Sequence, residues 1–173
     1  MLKSLLSPED CAKCRYCCSF IKPTSREMPL IDADLLEGSG LLEKLQKDNP
    51  EAKFEKIIKV VDNVSHEFYK INIDNLYITN DPKEEVLCVF NKGKGCILGE
   101  NKPFKCKVWP LVVMRTNNKL VIALRTDCKI IASKPFREIQ SLVENGLGEK
   151  MLEYAKKFPD FIDDYREDCY ILS

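Results

Sequence analysis

The chain has 173 residues, 45% of them hydrophobic, with 27 basic side chains balanced by 27 acidic ones and a single histidine. That length fits one domain and can bury an ordinary core without covalent staples. The neutral balance argues against a dedicated nucleic-acid binder, and no run of about 18 apolar residues exists to span a membrane.

The chain opens MLKSLLSPEDC. Its apolar stretch is too short for a signal-peptide core, and no small-residue cleavage site follows. The expectation is a cytoplasmic protein, in which thiols stay reduced. Ser7-Pro8-Glu9-Asp10 has the form of a helix start: Ser7 caps, Pro8 takes the first position, and Asp10 closes a capping box. Residues 21–40, with Pro23, Pro29, Gly38 and Gly40, read mostly as connector, with a short helix beginning near Asp32. Leu41, Leu42 and Leu45 mark another short helix. Asn49 and Pro50 then precede Phe54, Ile57, Ile58 and Val61 at i, i+3, i+4, i+7, which predicts a helix over 50–62.

The pattern changes after that. FYKINID alternates, with Ile71 and Ile73 on one side, and predicts a strand. LYIT reads as a second extended piece, stopped by Asn80-Asp81-Pro82. VLCVF is apolar on both faces, as in a buried strand, NKGKG is a turn and CIL continues after it. Cys88 and Cys96 are therefore expected on the two arms of a hairpin. LVVMRT and KLVIALRT flank Asn117-Asn118 and predict another hairpin. Phe136, Ile139, Leu142 and Val143 mark a helix, and Leu147, Met151, Leu152, Ala155 and Phe158 mark the next. FIDDYREDCYILS reads as a short last helix or an acidic tail. The order gives an α+β fold: a small antiparallel sheet of short hairpins with flanking helices around a cysteine-ligated centre. The expected organisation is one domain, with a cysteine core over 8–130 and a helical extension over 133–173.

There are nine cysteines, an odd number that suits a closed disulfide framework poorly. Eight fall in two groups: Cys11, Cys14, Cys17 and Cys18 in CAKCRYCC, then Cys88, Cys96, Cys106 and Cys128. Thiolates are the natural ligands of zinc, copper(I) and iron–sulfur clusters. CxxCxxC with a distant fourth cysteine is a common way to hold a cubane cluster. Adjacent side chains such as those of Cys17 and Cys18 diverge in most backbone conformations, so they are expected to serve different centres or roles. Lys13, Arg15, Lys92, Lys94, Lys102, Lys105, Lys107 and Lys129 stand near cysteines in sequence, where a cation favours thiolate. A lysine-rich chain gives the same proximity by chance. His66 is remote from both groups and suits a surface or packing role, which leaves thiolate-only sites.

CAKCRYCC, CVFNKGKGC, KPFKCKVWP and the later TDC together resemble the CxxCxxCC cysteine-cluster family, a zinc- or iron-chelating domain often called YkgJ-like. The likeness covers residues 8–130. It implies metal ligation by the eight clustered cysteines, with Pro103, Cys106, Trp109 and Pro110 forming its third block. Arg15 stands where members often carry glycine, and Lys102-Pro103 stands for Arg-Pro. Flagellin lysine N-methylase resembles the same cluster, but no glycine-rich loop for its methyl donor is present here. Cys169 lies outside the pattern.

Three functions follow as expectations. The first is an iron–sulfur protein with a 4Fe-4S cluster in electron transfer, redox sensing or an accessory role, using Cys11, Cys14 and Cys17 with one later cysteine and served by an unidentified redox or protein partner. The second is a zinc-stabilised interaction module. The third is an enzyme with an open metal position or a reactive spare thiol, for which Cys18 is the candidate. Trp109, Phe104 and Pro103 are expected to shield the centre from water.

Overall fold

A computed structural model describes residues 5, 7–21, 28–79, 81–93 and 95–173. Met1–Ser4, Pro23, Asn80 and Lys94, which the sequence assigns to the amino terminus, the connector and turns, lie outside the described residues. The chain divides into two compact units, one of Cys11–Cys106 and one of Met1–Asp10 with Lys107–Ser173. Both mix helices with small sheets, and all strand pairs but one are antiparallel.

Helix α1 (Pro8–Cys14) starts as the sequence predicts. The Asp10 N–H donates to Ser7 Oγ at 3.1 Å, and the Ser7 N–H donates to Asp10 Oδ2 at 3.3 Å, so the capping pair satisfies two backbone groups that the first turn leaves open. A 3₁₀ turn (Tyr16–Cys18) leads into β1 (Ser19–Ile21). Strand β2 (Ile31–Asp32) then ends at Asp32, whose Oδ1 accepts the Leu35 N–H at 3.3 Å and caps α2 (Ala33–Gly38). Helix α3 (Leu41–Asp48) follows. The first begins next to Asp32 and the second spans the Leu41, Leu42 and Leu45 pattern, as the sequence predicts.

The helix predicted over 50–62 is absent. Its place is taken by β3 (Lys53–Val61), paired along its length with β4 (Val64–Asn72). Phe54, Ile57, Ile58 and Val61 satisfy a helical period, but Ile57, Ile58, Val60 and Val61 are β-branched and favour the pleated backbone. Asn49 and Pro50, the apparent helix start, instead follow the end of α3: the Asn49 N–H donates to the Leu45 carbonyl at 2.9 Å. Asp62 and Asn63, at φ 51° and 62°, close the two-residue turn. The FYKINID strand is present, with Tyr69, Ile71 and Ile73 buried, and it begins earlier than its alternation shows. LYIT is not a strand. Leu76 ends a 3₁₀ turn (Asp74–Leu76), and the segment is held by the Tyr77 hydroxyl, which donates to the Phe20 carbonyl at 3.0 Å.

The core of this unit gathers Phe20, Ile31, Leu36, Leu45, Ile71 and Phe90 from separate elements. At its surface, Lys56 Nζ bridges Glu37 at 2.9 Å and Glu67 at 2.7 Å, and the Tyr69 hydroxyl donates to Glu37 Oε1 at 2.7 Å. Bonds from Lys56 and then Tyr69 hold the Glu37 carboxyl below its usual range. Strand β5 (Glu85–Leu87) pairs with β1 and is shorter than VLCVF predicts.

Helix α4 (Phe104–Val108) carries the chain into the second unit. There β6 (Leu111–Thr116) and β7 (Lys119–Arg125) form the predicted hairpin, with Asn117 and Asn118 at φ 47° and 61°. A short α5 (Lys129–Ala132) and the predicted α6 (Phe136–Leu142) and α7 (Gly148–Lys157) follow. A Cβ on Gly148 would lie 2.9 Å from Ile122 Cδ1 and from Val143 Cγ1, so glycine lets the start of α7 seat on the sheet. The carboxy-terminal segment is neither helix nor tail. It supplies β8 (Ile162–Asp163), parallel to β6, and β9 (Cys169–Ile171), antiparallel to β7, which flank the hairpin on its two edges. Among the described residues no helix is long and apolar enough to cross a membrane.

Glycine accepts positive φ more readily than asparagine. Asn118→Gly is therefore expected to raise stability by about 0.5 kcal/mol, read as a higher urea midpoint with an unchanged slope.

Candidate metal centre

The site is built on the two-stranded ladder of β1 and β5. Ser19 lies opposite Leu87 and Phe20 opposite Val86, so one more step of the same register sets Cys18 against Cys88. The Cys88 N–H donates to the Cys18 carbonyl at 2.7 Å, which makes that step real. Directly opposed residues of an antiparallel pair carry their side chains on one face, with Cβ atoms about 5 Å apart. The first cysteine group is thus joined to the second through backbone pairing.

The 11–18 segment does not continue as one helix. It stops at Cys14, Arg15 takes φ 54°, ψ −5°, and the next turn restarts at Tyr16. Arg15 occupies the left-handed region that glycine accepts freely and other residues enter at a cost. Its side chain offsets part of that cost: Nη2 donates to the Gly93 carbonyl at 3.2 Å and Nε to the Ala12 carbonyl at 3.3 Å. The break aims Cys17 and Cys18 away from the helical register of Cys11 and Cys14. Their Sγ atoms are 4.0 Å apart. Two sulfurs on a tetrahedral ion at about 2.3 Å are roughly 3.8 Å apart, so this neighbouring pair does not diverge as expected from its adjacency.

Cys88 and Cys96 begin two similar turns, CVFN and CILG. The Asn91 N–H donates to the Cys88 carbonyl at 2.7 Å, and the Gly99 N–H to the Cys96 carbonyl at 3.3 Å. In each turn the peptide N–H two residues on, from Phe90 and from Leu98, works against the rise of the cysteine's pKa. The two turns are tied together. Asn91 forms a β-bridge with Cys96, and the Ile97 N–H donates to the Phe90 carbonyl at 2.9 Å. The antiparallel bridge gives the expected hairpin in minimal form, with turns in place of strands as its arms. Sequence reading missed Phe90 and Leu98 as backbone donors. The signal present for them was the repetition of cysteine, two apolar residues and a turn residue.

Burial pushes the Cys88 thiol far up, and the neighbouring Cys18, Cys106 and Cys96 sulfurs add to the effect, while the Phe90 N–H opposes it. Cys96 is also raised, first by burial, with the Leu98 N–H and Lys102 opposing. The lysines read as thiolate promoters do not prevail here. Of those near the second group, Lys92 pairs with Asp48 at 3.1 Å. Cys14 and Cys106 are exposed, and Cys17 and Cys18 are half-buried. Cys11 lies in α1, and its side chain is outside the described part. Cys128 is buried in the other unit, just before α5. Trp109 is buried in that unit too, with the Arg125 guanidinium 4.7 Å from its ring centre. His66 lies in β4 opposite Lys59, and Cys169 in β9.

Cys14, Cys17, Cys18, Cys88, Cys96, Cys106, Cys128 and Cys169 are thiols rather than disulfides. Among the described residues, no group of three or more His, Cys, Asp or Glu side chains is already arranged to hold a metal ion. What is assembled is a pair at 4.0 Å, Cys17 and Cys18, with Cys88 opposite Cys18 and Cys96 on the turn linked to that of Cys88. Set against known proteins, the chain matches no family model, no curated protein and no solved structure.

Two outcomes are expected. Arg15→Gly and Arg15→Ala both remove the guanidinium tie, so their difference isolates the left-handed backbone; the alanine variant is expected to be less stable by about 1 kcal/mol in urea unfolding. In the reduced, metal-free chain the raised Cys88 and Cys96 thiols contribute stability that is complete below the ordinary thiol value of 9.0 and is lost as pH rises beyond it. An unfolding midpoint that stays level or rises from pH 8 to pH 10 in the wild type, relative to Cys88→Ala/Cys96→Ala, would contradict this.

Proposed function

We propose that this chain is a metal-binding protein whose Cys11–Cys106 unit holds a thiophilic centre through Cys18, Cys88, Cys96 and Cys17, with Cys11, Cys14 and Cys106 as the further thiolates and Cys128 as the eighth candidate. One observation carries the reading. Cysteines of the two groups meet: half-buried Cys88 lies opposite half-buried Cys18 through a 2.7 Å backbone hydrogen bond, and the Cys18 Sγ is 4.0 Å from that of Cys17. Thiolates gathered in this way repel one another, and a bound cation is what makes them stable together. The likeness of the cysteine pattern to the CxxCxxCC family supports the same reading.

The occupant we favour is an iron–sulfur cluster of the 4Fe-4S kind. Peptide N–H bonds to sulfur, together with burial, are means by which a protein sets the potential of such a cluster. When bound, the cluster supplies one-electron chemistry, and the role is electron transfer or redox sensing with a redox partner. The residues of this chain orient the sulfurs, through the β1–β5 ladder and the paired turns, and exclude water, through Val89, Phe90 and Leu98. The second reading is structural zinc. The 4.0 Å spacing of Cys17 and Cys18 favours it, since that spacing suits one ion.

Anaerobic purification with metal and sulfide analysis and a visible spectrum tests the reading. Iron and sulfide in equal amounts, with broad absorption that Cys88→Ser and Cys96→Ser each abolish, is the expected result. Zinc without sulfide in a colourless protein moves the assignment to the second reading. A chain that takes up neither metal, aerobically or anaerobically, overturns both. Because the thiols must lose protons to bind, the affinity of the metal-free chain for zinc is expected to rise with pH up to the thiol range, with protons released on binding.

A further inference from the structure

Strand β3 is the outer strand of its sheet, whose order is β2–β4–β3, and among the described residues nothing pairs with its free edge. The register fixes which backbone groups face outward. Val61 and Val64 flank a two-residue turn and therefore form a hydrogen-bonded pair. Alternation then turns the N–H and C=O groups of Val61, Lys59, Ile57, Glu55 and Lys53 toward β4. Those of Val60, Ile58, Lys56 and Phe54 turn to the free edge. The other side of β4 agrees: Tyr69, opposite Lys56 and so in the same phase, is the residue that meets Ile31 of β2. Ile58 and Val60, on this edge, are 64% and 68% exposed.

A free edge with outward-facing peptide groups is a template for another strand. Its charges decide which strand fits. With two copies of β3 antiparallel about a two-fold axis through Ile57, the outward groups of Phe54 meet those of Val60 in the other copy, and those of Lys56 meet those of Ile58. Glu55 then falls opposite Lys59 of the second copy, twice by symmetry, at non-hydrogen-bonded positions where side chains approach most closely. The neighbouring registers of the same phase lack this match. An axis through Lys56 sets Lys56 against itself and Lys53 against Lys59. One through Glu55 or Lys59 sets like charges on the axis, and one through Ile58 forms no charge pair. Of the axes from Glu55 to Lys59, only the one through Ile57 sets opposite charges of β3 against each other.

We propose that β3 is a homodimer interface, in which a second copy of this chain pairs antiparallel across the edge with Ile57 on the two-fold axis and Glu55–Lys59 ion pairs on either side of it. The pairing is isologous and closes on itself. It covers the exposed Ile58 and Val60 of both copies and joins two three-stranded sheets into one.

Sedimentation of the full chain at micromolar concentration, with reductant present to prevent disulfide-linked association, is the test. The expected mass is twice the 19.9 kDa of the chain. Glu55→Lys and Lys59→Glu each set like charges opposite one another and are expected to weaken dimerisation about tenfold or more. An equimolar mixture of the two variants, and the double variant alone, restore opposite charges in this register and recover the dimer. Ile58→Pro removes an outward N–H and no bond to β4, so it is expected to give a folded monomer, checked by circular dichroism. A chain that is monomeric at these concentrations overturns the proposal, as does association only with a foreign protein. A dimer indifferent to Ile58→Pro and to the single charge reversals, or one that the mixture fails to restore, overturns it as well.

Discussion

The hydrogen bond from the Cys88 N–H to the Cys18 carbonyl, 2.7 Å long, is the constraint on which the candidate centre depends. It is the last step of a very short ladder, and it joins two cysteine groups separated by most of the Cys11–Cys106 unit. A contact so remote in sequence carries a chain-closure cost that one backbone bond does not repay. The repayment comes from the core beneath: Phe20 on β1 and Val86 on β5 lie opposite each other and are buried with Leu36, Leu45 and Ile71. The sulfurs are therefore held at the edge of a hydrophobic core built by residues from several elements.

Around this pivot, two local devices aim the remaining thiols. Arg15 breaks α1 at a left-handed residue, so that Cys17 and Cys18 leave the helical direction of Cys11 and Cys14. The CVFN and CILG turns place Cys88 and Cys96 at equivalent positions of linked reverse turns. In both cases it is the path of the peptide backbone that places the sulfur. Burial raises Cys88 and Cys96, and the Phe90 and Leu98 N–H groups oppose that rise. Sequence proximity to a cation is a poor guide to electrostatics when the cation is solvated or, like Lys92, paired elsewhere.

The β3–β4 hairpin shows how a pattern can satisfy two periods. Phe54, Ile57, Ile58 and Val61 fit one face of a helix, and the same residues fit a strand that is shielded at its base and bare toward its turn. The strand prevails because its partner is adjacent in sequence and because tight-turn residues, Asp62 and Asn63, separate the two. No such turn signal marked the carboxy-terminal FIDDYREDCYILS, whose short strands exist only because the β6–β7 hairpin offers two edges to cover.

The sequence by itself determined what is local. The Ser7–Asp10 cap, the Asn117-Asn118 hairpin, helices α2, α3, α6 and α7, and the α+β character all follow from spacing and turn chemistry within a few residues. It also identified the cysteines as the chemically informative residues, because their number and spacing are visible without a fold. Only the tertiary structure decided which of them meet. Cys18, read both as a ligand and as a candidate spare thiol, is the one that pairs with Cys88. The physical reason is that spacing reports neighbours along a helix or strand. Pairing between segments is set by which apolar faces can be buried together, and that depends on the whole chain at once.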